Sequence, residues 1–168
     1  MECCEGRVVS GSWDISRATT EDAAAILAVQ YEAYAQEAAL YGDVTLPPQV
    51  ETEEDLRGVL ASHVVLKAVA DGAIIGSVRG REEEGTCYVG RLVVTPERQG
   101  QGLGSMLLAA IEKEFAHVGR LELFTGHKSL RNLGFYGRRG YAEFRRYRES
   151  AAVTLIFLEK SNDSEPSA

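Results

Sequence analysis

The sequence predicts a mixed α/β domain: one central sheet, mostly antiparallel with a single parallel junction in its middle, covered by helices on both faces. Three observations carry that prediction. Residues 64–94 hold three β-rich runs separated by short polar turns, which read as an antiparallel meander. A glycine-rich loop at 99–105 then opens an amphipathic helix, and the strand after that helix must run parallel to the strand before it, because a crossover separates them. Two last β-rich runs, 141–147 and 153–159, close as a hairpin.

Taken in order, residues 1–11 show no periodicity and read as a disordered N-terminal tail. Residues 12–160 read as a single domain, and 161–168 as a disordered polar C-terminal tail. Trp13–Arg17 alternates like a short strand. Thr19 or Thr20, ahead of Glu21 and Asp22, starts a helix that runs through Ile26, Val29, Tyr31 and Tyr34 to about Ala39. Pro47-Pro48 is a break. Thr52, with Glu53, Glu54 and Asp55 in the first turn, opens a second helix to about Ala61. Val64–Ala70 and Ala73–Arg79 pair across Asp71-Gly72, a strong hairpin signal. Glu82-Glu83-Glu84-Gly85 reads as the polar turn into the strand Thr86–Val94. After the glycine loop, Leu103, Met106, Leu107, Ala110, Ile111 and Phe115 share one helical face and form the expected core contact. Arg120–Phe124 is the parallel strand. Ser129 is the expected cap of the next helix, Arg138 and Arg139 suit its C-terminal end, and Gly140 stops it.

Composition narrows the function classes. A chain of 168 residues, 45% hydrophobic and 26% charged, reads as an ordinary globular protein with a sizeable core. No apolar run reaches the ~18 residues a membrane span needs, so no membrane partner is expected. The N-terminus lacks a basic region followed by an apolar stretch, and Cys3, Cys4 and Cys87 follow no zinc spacing. The expectation is reduced thiols, a cytoplasmic location and no metal. A net charge of −7 is a poor footprint for nucleic acid. It also means that an anionic ligand must be held by local amides and nearby Arg side chains rather than by the overall field.

The segment 92–108 carries the chemistry. An apolar strand runs through Pro96 into alternate glycines and then a helix. Bare glycines let a phosphate approach the backbone, several N–H groups converge on it, and the positive end of the helix dipole faces it. Two other phosphate loops fit less well. A Walker-type loop needs Gly-Lys-Ser/Thr, which occurs nowhere in the chain. A dinucleotide fingerprint would use Gly100 and Gly102, but Ser105 stands where its third glycine or alanine belongs. Glu122, about 20 residues downstream, mimics the ribose-binding acid, yet antiparallel hairpins precede the loop instead of alternating strand and helix.

What matches is Gln99-x-x-Gly102-x-Gly104 behind a strand ending Val94-x-Pro96. Some thirty residues on, Ser129–Tyr141 carries Asn132, Tyr136 four residues later, and a closing Gly140-Tyr141 pair. Together these resemble the pyrophosphate loop and the later helix of the GNAT superfamily of N-acetyltransferases, which bind acetyl-coenzyme A. The resemblance is clear over 64–158 and extends more loosely back to Trp13.

The resemblance implies the GNAT fold, with the parallel strand pair splayed around the pantetheine arm. Leu92, Val93 and Val94 would offer backbone groups to pantetheine. The amides of Gln99, Gly100, Gln101, Gly102, Leu103, Gly104 and Ser105 would hold the pyrophosphate. Asn132 would lie near the pantetheine amides, and Tyr136 near the sulfur as a cofactor contact and general acid. The bland alternatives are a ligand-free strand-to-helix turn, and an Asn132/Tyr136 pair that merely shares a helix face. A backbone N–H of Val93 or Val94 would polarise the thioester carbonyl. A phenol near ~10 is a weaker acid than a thiol near ~8.5, so full proton transfer is uphill by about 2 kcal/mol and hydrogen bonding is the main expected role of Tyr136.

The acceptor implied is a primary amine of a small molecule or peptide. The first helix and its exit shape that pocket in the superfamily, which points to Tyr34, Glu37, Tyr41 and Asp43. Glu84, in the Glu82–Glu84 run, lies where some relatives place a base, although such runs are usually solvated turns. His127 follows the parallel strand, and a water chain is another route for the proton. A homodimer is open. Two competing readings remain: a non-catalytic acyl-CoA-binding sensor on the same fold, and a dinucleotide-binding protein.

Overall fold

Seven strands build one sheet in the order β1-β2-β3-β4-β5-β7-β6. They are β1 (Asp14–Arg17), β2 (Val64–Ala70), β3 (Ala73–Glu83), β4 (Thr86–Val94), β5 (Arg120–Gly126), β6 (Ala142–Arg148) and β7 (Thr154–Ser161). The computed structural model describes residues 12–42 and 46–162. All neighbouring strands are antiparallel except β4 and β5, so the predicted mixed sheet with one parallel junction is what forms. The helices are α1 (Ala23–Tyr41), α2 (Pro47–Val50), α3 (Glu53–Ser62), α4 (Leu103–Glu114) and α5 (Leu130–Arg138).

Local chemistry explains most of the boundaries. The Thr52 N–H donates to Asp55 at 3.0 Å and the Asp55 N–H to Thr52 Oγ1 at 3.1 Å, a reciprocal cap for α3. Asp71-Gly72 turns with φ of 52° and 76°, and Glu84-Gly85 with 49° and 77°, the type I′ geometry that suits two-residue hairpins. The second turn corrects an expectation: Glu82 and Glu83 continue β3, and only Glu84-Gly85 reverses the chain. Pro47 and Pro48 do not break the chain but open the short helix α2, where a missing N–H is harmless. β7 runs through Ser161, and Asn162 Nδ2 donates to the carbonyls of Phe115 and Val118 at 2.9 Å, so these two residues belong to the domain rather than to a tail. The remaining tail residues, together with Asp43, Cys3 and Cys4, lie outside the described residues.

The sheet is covered on both faces because its strands alternate. Val65 packs with Ala23, Ile26, Leu27 and Leu56 under α1 and α3. Its neighbour Leu66 packs on the opposite face with Leu103, Leu107, Leu108 and Ile111 of α4. Met106 is 52% exposed, against expectation, and Leu108 is fully buried in its stead. Four apolar residues in Met106-Leu107-Leu108-Ala109 allow two helical phases, and the sheet selects the one that seats both leucines.

One irregularity positions the site. Ser77 pairs with Val93 but Arg79 with Gly90, so β4 carries one extra residue there. Arg91 sits in this bulge at φ 48°. β4 and β5 are paired only over Thr86–Tyr88 and Arg120–Glu122, whereas β5 stays paired with β7 from Arg120 to Gly126. Past Tyr88, β4 bends away from β5 and the two strands part.

Candidate active site

The parted strands floor a cleft of about 630 Å³. Its walls come from α1, the start of α2, the end of β4, the 98–105 loop, the end of β5, and α5. Among the described residues the β4 edge facing β5 has no ladder partner beyond Tyr88, and Leu92–Val94 line this space, with the Val94 carbonyl accepting from Gln99 Nε2 at 3.1 Å.

At one end lies the glycine loop. Gly100 and Gly102 hold φ of 78° and 89°, which a side chain rarely tolerates. Gly104 is different: it is inside α4, and the nearest atoms to an added Cβ would be those of Phe135 at 3.7 Å and Val94 at 3.9 Å, ordinary van der Waals distances. Helix geometry leaves the N–H groups of Leu103, Gly104 and Ser105 without intrahelical partners, and that of Met106 is the first to find one, the Gly102 carbonyl at 3.2 Å. Cations surround this mouth. Arg139 stacks on Phe135 at 3.7 Å and donates to Ser105 Oγ at 3.1 Å. Arg98, Arg131 and Arg138 also line the cleft. Five arginines therefore face it, counting Arg91, on a chain of net charge −7.

At the other end, residues far apart in sequence converge on Glu37. Tyr34, Glu37 and Tyr41 fall on one face of α1. The Lys128 N–H donates to Tyr41 Oη at 3.0 Å, Tyr41 bonds Ser129 Oγ at 2.8 Å, and Ser129 donates to Glu37 Oε2 at 2.5 Å. Asn132 Nδ2 reaches Glu37 Oε1 at 3.5 Å and Thr125 Oγ1 at 3.3 Å. Ser129 thus makes no side-chain cap for α5, as the sequence suggested it would. Gly126 permits this closure, since a Cβ there would sit 1.9 Å from Tyr41 Oη. Tyr136 lines the same cleft with its ring edge-on to Phe135 and Tyr141. Burial pushes its phenol well above the usual value, and the neighbouring Tyr34 and the Glu37 charge add to that.

Beside Tyr34 lies an ionic cluster. Glu51 accepts from Arg79 at 2.9 Å and from Gln30 at 2.8 Å. Burial alone would raise its pKa, but these bonds and the charges of Arg79 and Arg91 hold it low. Arg91 lies 3.7 Å from Glu51 through Nε, too far for a hydrogen bond, and that buried Nε has no partner. Tyr34 is raised by burial and feels both Arg91 and Glu37.

The structure brings Tyr34, Glu37, Leu92, Val93, Val94, Gln99, Gly100, Gly102, Gly104, Ser105, Asn132 and Tyr136 to one cleft. The Leu103 side chain is core, and Gln101 turns back to the Glu97 carbonyl at 3.3 Å. Glu84 is not brought there: it occupies the exposed turn at the far end of β4. His127 does not line the cleft, and its Nδ1 accepts from the Thr154 N–H at 3.0 Å. Arg91, Ser129 and Arg139 were missed. The partly buried cation at a bulge leaves no local signal, and Arg139 reads in sequence as a helix-end charge.

A family model for the acetyltransferase (GNAT) family matches residues 27–141, more than half of the chain, and the chain belongs to that family. No curated protein matches it at a significant level. Its fold is shared by the PaiA N-acetyltransferase of Thermoplasma acidophilum in complex with coenzyme A, at TM-score 0.72 and 19% identity over 90% of this chain and 99% of that one. The ribosomal-protein-S18-alanine N-acetyltransferase of Escherichia coli aligns at TM-score 0.77 and 16% identity, covering 93% and 97%. YncA, a putative acetyltransferase of Salmonella typhimurium with its cofactor acetyl-CoA, aligns at 0.72 and 16%, covering 94% and 98%. At these identities the likeness is one of fold.

Proposed function

We propose that the chain is an acetyl-CoA-dependent N-acetyltransferase that moves an acetyl group to a primary amine by direct attack within a ternary complex. The observation that carries this reading is the parted β4/β5 edge. It joins a cationic, N–H-rich helix mouth to a half-buried tyrosine and a carboxylate in a single cleft. Coenzyme A, when bound, supplies the acetyl group as an activated thioester.

The remaining work belongs to the chain. Amides from Gly100 to Ser105, with Arg98, Arg138 and Arg139 nearby, suit the phosphates. The β4 edge beyond Tyr88, unpaired with β5, suits an extended amide-bearing arm, as a strand would. Holding donor and acceptor in line removes much of the entropic barrier. Tyr136 keeps its proton at neutral pH and holds it on Oη for the thiolate that leaves. Glu37, fixed by Ser129 and Asn132, faces the ammonium of the acceptor, which passes its proton to water before the neutral amine attacks the thioester.

Calorimetry with coenzyme A, followed by a thiol-release screen of amines, polyamines, amino acids and peptide N-termini, tests the reading. Binding with release on at least one amine class supports it. Absence of coenzyme A binding removes it, and binding without release on any amine reduces the protein to an acyl-CoA sensor.

A further inference from the structure

We propose that the acceptor carries a carboxylate close to its amino group, as a free amino acid does, with Arg91 taking the carboxylate and Glu37 facing the ammonium. This rests on the acetyltransferase reading and narrows its substrate class.

The charge balance beside Tyr34 is the first reason. Arg79, Arg91 and Glu51 leave one positive charge, with side chains only 16%, 19% and 9% exposed. Glu51 is already engaged, one oxygen by Arg79 and the other by Gln30, and Arg91 approaches it no closer than 3.7 Å. Among the described residues the Arg91 guanidinium makes no hydrogen bond, and its buried Nε has only the 3.7 Å ion pair with Glu51. A partly buried guanidinium left in that condition is a strong site for a planar anion, which it can hold by two parallel bonds.

The backbone is the second reason. Arg91 occupies the bulge at φ 48°, a conformation glycine adopts freely and an arginine does not. Gly90 is adjacent and takes no positive φ. The strained position therefore holds a long cation that lines the cleft.

Placement is the third. Tyr34, Glu37 and Arg91 line the same cleft, so the two opposite charges face one space. Leu46 and Pro47 add apolar surface to the same lining. A zwitterion matches the two charges. A polyamine would bring more positive charge to Arg91, and a peptide N-terminus has an amide where the carboxylate should be.

The test pairs L-amino acids with their own carboxamides in the thiol-release assay and compares kcat/KM within each pair. The amide's amine is the more easily deprotonated, so a preference for the acid cannot arise from nucleophilicity. We expect at least one acid to exceed its amide on the order of 100-fold. Arg91→Ala should collapse that ratio towards one, mainly through KM for the acid, and Arg91→Lys should restore part of it. The ratio is internal to each variant, so partial misfolding does not mimic the effect. Calorimetry of coenzyme A-saturated protein with N-acetylated amino acids supplies a readout without turnover. Arg91-dependent binding there, with no thiol release on any amine, keeps the carboxylate site and removes the acetyltransferase reading. Equal rates on acid and amide, turnover confined to amines without a carboxylate, or an unchanged ratio in Arg91→Ala overturn the carboxylate site and leave the acetyltransferase reading standing.

Discussion

The two ends of β4, Thr86-Cys87-Tyr88 and the more apolar Leu92-Val93-Val94, do opposite things. At Thr86–Tyr88 the strand is paired on both sides, and Cys87 is fully buried beside Leu121. Burial there pushes the Cys87 thiol up to about 12, so it is an inert packing group. Some five residues later, beyond a one-residue bulge, the same strand has lost β5 and its backbone edge faces a charged cleft. Apolar content does not decide which end is core, since the more apolar end lines the cleft. Pairing does: where the ladder closes, the strand is core, and where it opens, its N–H and C=O groups become available to a ligand.

If that contrast holds, substitutions at the open end change turnover and binding, and those at the closed end change stability. The largest effect is expected at Tyr136. Tyr136→Phe should lower kcat by about 10²- to 10⁴-fold while KM for acetyl-CoA moves only a few-fold, measured by thiol release. The sign of the pKa shift adds a second reading. A phenol raised above its usual value stays protonated throughout the neutral and mildly alkaline range. The wild-type rate should therefore show no falling limb from Tyr136 up to about pH 10. Such a limb, absent in Tyr136→Phe, would mean the hydroxyl is less buried than the structure places it. At the closed end, Leu121→Ala should cost about 2–5 kcal/mol in denaturant unfolding and leave the coenzyme A affinity of the folded protein within two- or three-fold.

The sequence revealed these two ends unequally. The meander, the crossover and the last hairpin were legible because they rest on local signals: period-two runs, Asp71-Gly72, and the glycines at 100 and 102. The cofactor loop was legible for the same reason. The bulge was not, because Gly90 invites the positive φ that Arg91 takes. Glu37 was picked out as a pocket residue, but its partners Ser129 and Asn132 come from 92 and 95 residues away, and no spacing rule connects them. Met106 shows the limit of periodicity within a helix, since the choice between two apolar faces belongs to the sheet underneath.

Gly104 sharpens the comparison at the open end. Unlike Gly100 and Gly102, it has ordinary helical φ and room for a methyl group. Gly104→Ala should therefore keep or raise stability, by up to ~1 kcal/mol from helix propensity. It should still weaken coenzyme A binding about tenfold in calorimetry, because the Cβ stands beside N–H groups that have no other partner. A loss of stability with unchanged affinity would make this glycine a packing residue and remove it from the phosphate cradle.

The smallest effect is expected at Glu84. Its carboxylate lies in the exposed β3–β4 turn, at the closed end of β4 and away from the cleft. A base there would have to act across the length of the strand. Glu84 also holds φ 49°, which glycine adopts more easily. Glu84→Gly should leave kcat/KM and its pH profile within error and shift unfolding by no more than about 0.5 kcal/mol. A tenfold fall in kcat with the alkaline amine limb displaced would place the proton acceptor at the closed end, and the division of labour along β4 would be lost.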